Sequence, residues 1–262
     1  MKVIKLGGSL LDDASRRAAA LAKIVSRWNA GEELVLVHGG GKHIDAALAK
    51  LGIAKKTHAG LRVTDDATLD VVVSVLGGTV NKMLVAELAQ LGIRAAGISG
   101  CDGATLIAEK HAEIAPEGGH GSGIDLGHVG HVIGSNRALV KALLTSGTMP
   151  VISSIAIGQN GALFNVNADS AASAIAVAHG AEELLFLTDV EGLLDHQGAV
   201  VPHLDTTGLE AMLSSAAVSG GMKPKLQAAL AALNAGVVQI KIAAPGTDNQ
   251  QPTTGGTTLV AA

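Results

Sequence analysis

The chain has no tyrosine, two phenylalanines and one tryptophan in 262 residues. Platforms that stack bases or sugars need several such rings, so recognition of that kind is excluded and the core has to be aliphatic. A single cysteine, Cys101, rules out an intrachain disulfide and a cysteine-rich zinc site, and it fits a reducing, cytoplasmic setting. Charged residues make up only 16%, and the net charge is −4. There is no basic surplus for a nucleic-acid backbone. No 18-residue apolar run is free of charges or glycine breaks, so no membrane span is expected. Met1 to Lys5 enters a strand pattern at once, and no signal peptide is expected.

Aliphatic residues and glycine are abundant, with 48% hydrophobic residues and 34 glycines. Apolar strand-like runs alternate with Ala/Leu-rich helical stretches, the pattern of a parallel sheet flanked by helices. Strands are expected at 3–6, 34–37, 93–98, 149–153, 162–164, 184–187 and 237–242. Helices are expected at 13–29, 42–51, 136–146, 168–179 and 222–235. Between 65 and 91, Leu69, Val72, Val73, Leu76, Val80, Met83, Leu84 and Leu88 recur near a 3.6-residue period, which predicts one long helix. Gly77 and Gly78 would bend it or admit another backbone. Residues 99–134 should hold short strands, a hairpin and turns, and 245–256 a polar loop. No linker divides the chain, although a functional seam is expected near 150–180.

Chemistry concentrates in five segments. Lys5-Leu6-Gly7-Gly8-Ser9 runs from a strand into two glycines, where backbone N–H groups can close on phosphate oxygens beside an ammonium; an ordinary turn with a solvated lysine would read the same. His38-Gly39-Gly40-Gly41-Lys42 places three glycines in a row, which costs conformational entropy unless a ligand must touch the backbone. It is not a Walker A loop, which would need glycine in place of Leu36, and Ile44 spoils a dinucleotide fingerprint. Arg62, in Gly60-Leu61-Arg62-Val63-Thr64, can clamp a carboxylate or pair with Asp65 or Asp66.

Asn165, Asn167 and Asp169 would point one way in an extended stretch and suit a polar substrate; Asn167 or Asp169 could equally cap the following helix. In the segment from Ser219 to Lys225, glycines precede a helix expected to start near Pro224. Lys225 on its first turn opposes the helix dipole unless an anion is present. His128 and His131 lack the glutamate of an H-E-x-x-H motif, and Cys101 lacks the final glycine of a nucleophile elbow, so neither metal binding nor thiol catalysis is expected there.

Taken together, these segments resemble the amino acid kinase family, and within it the acetylglutamate kinases. The motifs are KLGGSLL at 5–11, VHGGGKHID at 37–45, GLRVTD at 60–65, GTVNK at 78–82, LGHVG at 126–130, PVISSI at 150–155, NVNAD at 165–169, TDVEGLL at 188–194 and GGMKPKL at 220–226. They occur in family order across nearly the whole chain.

The resemblance implies an α/β fold, a three-layer αβα sandwich around a largely parallel sheet. It implies one amino acid kinase domain over 1–262. An N-terminal lobe, about 1–170, would bind acetylglutamate and dimerise; a C-terminal lobe, about 171–262, would bind ATP. By matching position, Lys5 and Lys225 would stabilise the transferring phosphoryl group and Asp169 would orient them. Gly40, Gly41, Arg62, Asn165 and Asn167 would hold the substrate. Gly7, Gly8, Thr188, Asp189, Val190, Glu191, Gly192, Leu193, Ala217, Val218 and Ser219 would line the nucleotide site.

The implied reaction is phosphorylation of the γ-carboxylate of N-acetyl-L-glutamate by ATP, with Mg²⁺ held mainly by phosphates and no metal site of the protein's own. A γ-carboxylate, with a reference pKa near ~4.3, is already ionised at neutral pH and needs no general base. A homodimer of the arginine-insensitive type is expected, joined through the helix that begins at residue 65. An aminoadipate-type carboxylate kinase of the same fold is the alternative, and a non-catalytic sensor is disfavoured because both lysines are present. The polar stretch 242–254 departs from the family pattern.

Overall fold

Strands buried on both faces carry apolar residues at successive positions rather than in alternation. Lys2–Leu6, Leu34–His38, Met149–Ser153 and Glu183–Leu187 are of this kind. In the computed structural model, which describes all residues except 59, 113–122, 196, 215–220 and 246–254, they form the centre of an eight-stranded sheet. From one edge the order is His203–Asp205, Thr257–Val260, Gln239–Ala243, Glu183–Leu187, Lys2–Leu6, Leu34–His38, Met149–Ser153 and Ala95–Ser99. Every neighbouring pair is parallel except Gln239–Ala243 with Thr257–Val260.

Successive side chains of a strand face opposite ways. Val3, Val35, Val37, Leu184 and Phe186 enter one core, which contains the inner faces of Ala168–His179 and Met222–Asn234. Ile4, Leu6, Leu34, Leu36, Leu185 and Leu187 enter the other, against helices Ala14–Asn29 and Gly41–Lys50 and the long helix Asp66–Gln90. The three-layer αβα sandwich expected from the sequence is therefore present.

The expected helix at 13–29 begins one residue later, behind a short separate helix, Gly8–Asp12. Asp13 lies between them in extended conformation and its carboxylate accepts from the amides of Ser15 and Arg16 at 2.9 and 3.0 Å. The long helix keeps its predicted extent but not its regularity. Ser74–Val80 is π-helical, and the Asn81 amide reaches back to the carbonyl of Leu76. Such wide turns are uncommon and cluster near functional sites. This helix has the length and mean hydropathy, 1.5, to cross a membrane. Val72, Leu76, Val80, Leu84 and Leu88 are nonetheless buried in the second core, the place of an internal helix.

The Gly- and His-rich region contributes Ile107–Lys110 and Gly130–Gly134, which pair antiparallel. With Ile155–Ile157 and Leu163–Asn165 they form a four-stranded second sheet. A third, two-stranded ribbon joins Thr57–His58 to Leu61–Arg62. Most of the loop expected at 245–256 falls outside the described residues.

Candidate active site

In a parallel sheet the carboxyl ends of all strands reach one edge, and the turns leaving them meet there. Lys5, the glycine run at 39–41, Ser154 and Thr188 all lie at that edge. Lys5 shares a face with Val3, and so points toward the layer of Ala168–His179 and Met222–Asn234.

Asn167 caps the first of these helices, its side-chain oxygen accepting from the amides of Asp169 and Ser170 at 2.8 and 3.2 Å. The cap fixes Asp169 in the first turn, where a carboxylate suits the helix dipole. The second helix starts at Met222, as the expected span 222–235 had it and two residues before Pro224, and holds Lys225 in its first turn. Residues far apart in sequence thus converge. Lys5 Nζ is 2.8 Å from Asp169 Oδ1, and Lys225 Nζ is 3.4 Å from each Asp169 oxygen. All three side chains are at least nine-tenths buried. Lys225 also sits 5.1 Å above the centre of the Phe186 ring.

Two cations around one anion leave an excess positive charge in a dry site. Burial raises the cost of charge on Asp169, but Lys5 and Lys225 outweigh it and hold the carboxyl below its usual range. For Lys225, burial and the neighbouring Lys5 outweigh Asp169, and its pKa falls to about 8. An anion arriving at this point would restore the balance.

Beside the triad lies a cavity of about 250 Å³. Its walls include Lys5, Gly8, Gly40, Gly41, Arg62, Asn165, Asn167 and Asp169, each singled out in the sequence. Arg62 pairs with neither Asp65 nor Asp66. Its Nη2 donates to Asp45, which Lys55 also holds at 2.9 Å, and to the carbonyl of Gly41 at 3.2 Å. Arg62 Nη1 is buried without a hydrogen-bond partner among the described residues. Asn165 donates to Thr64 Oγ1 at 3.2 Å and keeps its carbonyl oxygen and second N–H for other partners. A larger cavity of about 1190 Å³ shares Arg62 and Asn165 to Asn167 with this one.

Two of the glycines, Gly40 and Gly7, allow a close approach, whereas a Cβ on Gly8 or Gly41 would meet nothing within 4 Å. A Cβ on Gly40 would lie 2.9 Å from Leu76 Cδ2 and 3.2 Å from Val80 Cγ2, both in the π-helical segment. A Cβ on Gly7 would lie 2.9 Å from the Leu187 carbonyl oxygen, to which the Gly7 amide donates. The glycine run is also anchored from behind by His38, which is fully buried. Asn81 donates to His38 Nε2 at 3.0 Å, which leaves the proton on Nδ1 to donate to the Gly39 carbonyl at 2.9 Å. Burial lowers the pKa of this imidazole to about 4, so it stays neutral.

The nucleotide residues expected from the sequence are divided. Gly7 and Thr188 touch at the ends of adjacent strands, and the Thr188 hydroxyl donates to Asp189 at 3.1 Å. Asp189, Val190 and Glu191 are exposed. Gly192 and Leu193 are buried; the Leu193 amide donates to Thr257 Oγ1 at 2.7 Å and its side chain joins the core. Gly7 and Thr188 to Leu193 line neither cavity. Ala217, Val218 and Ser219 lie outside the described residues.

This geometry has relatives. Residues 1–244 match the model of the amino acid kinase family. The chain belongs to that family. An acetylglutamate kinase of Methanopyrus kandleri is 43% identical over 239 residues, 90% of this chain and 92% of that protein. One from Rhizobium rhizogenes is 42% identical over 242 residues, 92% of this chain and 82% of the other. Among solved structures, smu.665 from Streptococcus mutans superposes with a TM-score of 0.82 at 29% identity, covering 100% of this chain and 98% of its own. Carbamate kinase from Giardia shares the fold at a TM-score of 0.72 and 15% identity, covering 100% and 98%.

Sequence reasoning missed several residues of this amino acid kinase site. Asp45, the partner of Arg62, stands one helical turn beyond Gly41 inside a quoted motif, and that spacing was its only signal. His38 heads the glycine segment and Asn81 lies in the GTVNK motif, but neither was given a role. Ser154, inside the PVISSI motif, and Leu76, part of the long helix's apolar pattern, also line the smaller cavity and were given no site role.

Proposed function

We propose that this chain transfers the γ-phosphoryl group of ATP to the γ-carboxylate of N-acetyl-L-glutamate, giving N-acetyl-L-glutamyl 5-phosphate and ADP in arginine biosynthesis. The observation that carries this reading is the meeting of Lys5, Lys225 and Asp169 beside a cavity that Lys5 and Asp169 line together with Arg62 and Asn165. Relatives named acetylglutamate kinase over 90% of the chain support it.

A carboxylate oxygen attacks the γ-phosphorus, the bond to the bridging oxygen of ADP breaks, and no proton moves. Both reactants are anionic, so the barrier is lowered by fixed cations and N–H groups. In this reading Lys5 and Lys225 neutralise the phosphoryl group in flight, and Asp169 holds the two ammonium groups together. Arg62 Nη1 and Asn165 take the α-carboxylate. The amides of Gly8, Gly40 and Gly41 face the anions. Gly7 and 188–193, with 217–219, form the nucleotide side. Among the described residues no group of three or more potential ligands could hold a metal. In this reading a Mg²⁺ ion entering with ATP would be held mainly by phosphate oxygens, whose charge it would offset.

Division into an acetylglutamate lobe, about 1–170, and an ATP lobe, about 171–262, belongs to the same proposal. So does a cytoplasmic homodimer that uses the outer side of Asp66–Gln90. Light scattering should then give twice the chain mass, and a monomer would reject that contact.

The direct test is an ADP-release assay with N-acetylglutamate, glutamate, aspartate and carbamate in parallel, with hydroxylamine trapping of the acyl phosphate. Turnover and trapping should occur with N-acetylglutamate. Preference for any other acceptor would overturn the assignment.

A pH profile gives a second test. With Lys225 at a pKa of about 8, kcat/KM should fall above that pH as its ammonium is lost. Lys225→Arg should retain part of the activity and move this limb to higher pH. The same group affects stability with the opposite sign. Its folded pKa lies below the ordinary 10.5, so its contribution to stability rises between about 8 and 10.5. An activity profile flat to pH 10 would reject the role given to Lys225.

A further inference from the structure

Two consecutive serines end the strand Met149–Ser153 and face different surroundings. Ser153 is fully buried and its hydroxyl donates to Ser99 Oγ at 2.9 Å. Ser154 is only 2% exposed; its hydroxyl makes no hydrogen bond to the described residues, yet it is not one of their sealed, partnerless polar atoms, so it opens on accessible space. Its backbone is held, since the Ser154 carbonyl accepts from the Val166 amide at 3.2 Å. Register places it beside the glycine run, because Ser153 pairs with His38 and both chains then leave the sheet. There Ser154 lines the 250 Å³ cavity together with Gly39, Gly40, Asn165 and Val166.

A hydroxyl that opens on a cavity is free to bond whatever enters it. The open space beside Ser154 is the cavity, so its partner is what the cavity binds. The chemistry of the walls indicates which part of the ligand this is. In the reading above, Lys5 and Lys225 serve the phosphoryl group passing to the reacting carboxylate, and Arg62 serves the α-carboxylate. With both charged ends supplied with cations, the polar part of the acceptor left over is its uncharged amide, to whose oxygen a hydroxyl can donate or from whose N–H it can accept.

We propose that Ser154 is a specificity-determining residue that hydrogen-bonds the N-acylamido group of the bound amino acid. This rests on the acceptor assigned above. It adds a contact by which the cavity distinguishes an N-acylated dicarboxylate from the bare dicarboxylate chain.

The test compares the wild-type protein with Ser154→Ala in steady state, using N-acetylglutamate as substrate and glutarate as competitive inhibitor. Glutarate keeps both carboxylates and lacks the acylamido group. The KM for N-acetylglutamate should rise about tenfold, the cost of about one hydrogen bond, with kcat within twofold. The KM for ATP, the inhibition constant of glutarate and the melting temperature should stay unchanged. Ser154→Cys, a weaker donor of similar size, should fall between the two. An unchanged KM in Ser154→Ala, or an equal weakening of N-acetylglutamate and glutarate, overturns the proposal. Failure of the underlying assignment looks different, because wild-type protein would then not turn over N-acetylglutamate at all.

Discussion

Lys5→Ala and Lys225→Ala are each expected to lower kcat by about 10²-fold or more, the scale of removing one preorganised donor from a developing anion. Each side chain is buried and aimed at the same carboxylate, so neither can be replaced by a neighbour moving in. The loss should fall mainly on kcat, because phosphoryl charge is redistributed in the transition state rather than on binding. The double variant should be little worse than the worse single one, since the two ammonium groups act as a unit. Single-turnover measurements at saturating ATP and acceptor separate this from weakened binding. Near-normal turnover in both single variants would remove the lysine pair from the mechanism.

Asp169→Asn should be damaging to fold and activity together. The substitution keeps the shape and removes the anion, leaving two buried ammonium groups face to face. Breaking a buried pair by deleting one partner costs about 3–5 kcal/mol, which for a chain of this size lowers the melting temperature by on the order of 10 °C. The pH dependence has a definite sign. The folded Asp169 carboxyl lies below its ordinary value of 3.8, so its stabilising contribution is fully present above that pH. It is lost as pH falls through the folded pKa, and the gap between variant and wild type should close in strong acid. Activity should fall as well, because Asp169 supports the charge on Lys225. A variant that melts and turns over like the wild type at pH 7 would show that Asp169 organises neither lysine.

Much of the fold was legible because its signals are local. Strands buried on both faces appear as continuous apolar runs, and the cap of Ala168–His179 was among the candidates named at Asn167. The glycine turns were read as places where a ligand touches the backbone; the structure shows protein groups close to two of them, Leu76 and Val80 at Gly40 and the Leu187 carbonyl at Gly7, and open space at Gly8 and Gly41. Periodicity found the long helix but could not find its π-helical stretch, since one wide turn changes hydrogen bonding without erasing the apolar pattern. Arg62 shows the limit most plainly. Its nearest acidic residues in sequence were Asp65 and Asp66, and its actual partner is Asp45 on a different helix. Asp66 instead meets His128 at 2.7 Å. Pairing of long side chains depends on how elements pack, and no local pattern encodes that.

By itself the sequence determined most of the alternating strands and helices of the central sheet, the apolar runs that bury it between helices, and the set of charged and glycine-rich turns from which a site could be assembled; the strands His203–Asp205 and Thr257–Val260 and the helix Thr206–Ser214 were not read from it. Only the tertiary structure decided that residues 5, 169 and 225 share one point, that Asp45 steadies Arg62, and that Ser154 faces the cavity while Ser153 does not. The reason is physical: side-chain periodicity is fixed along a chain by backbone geometry, whereas convergence depends on which strands lie adjacent and on the common edge at which parallel strands end.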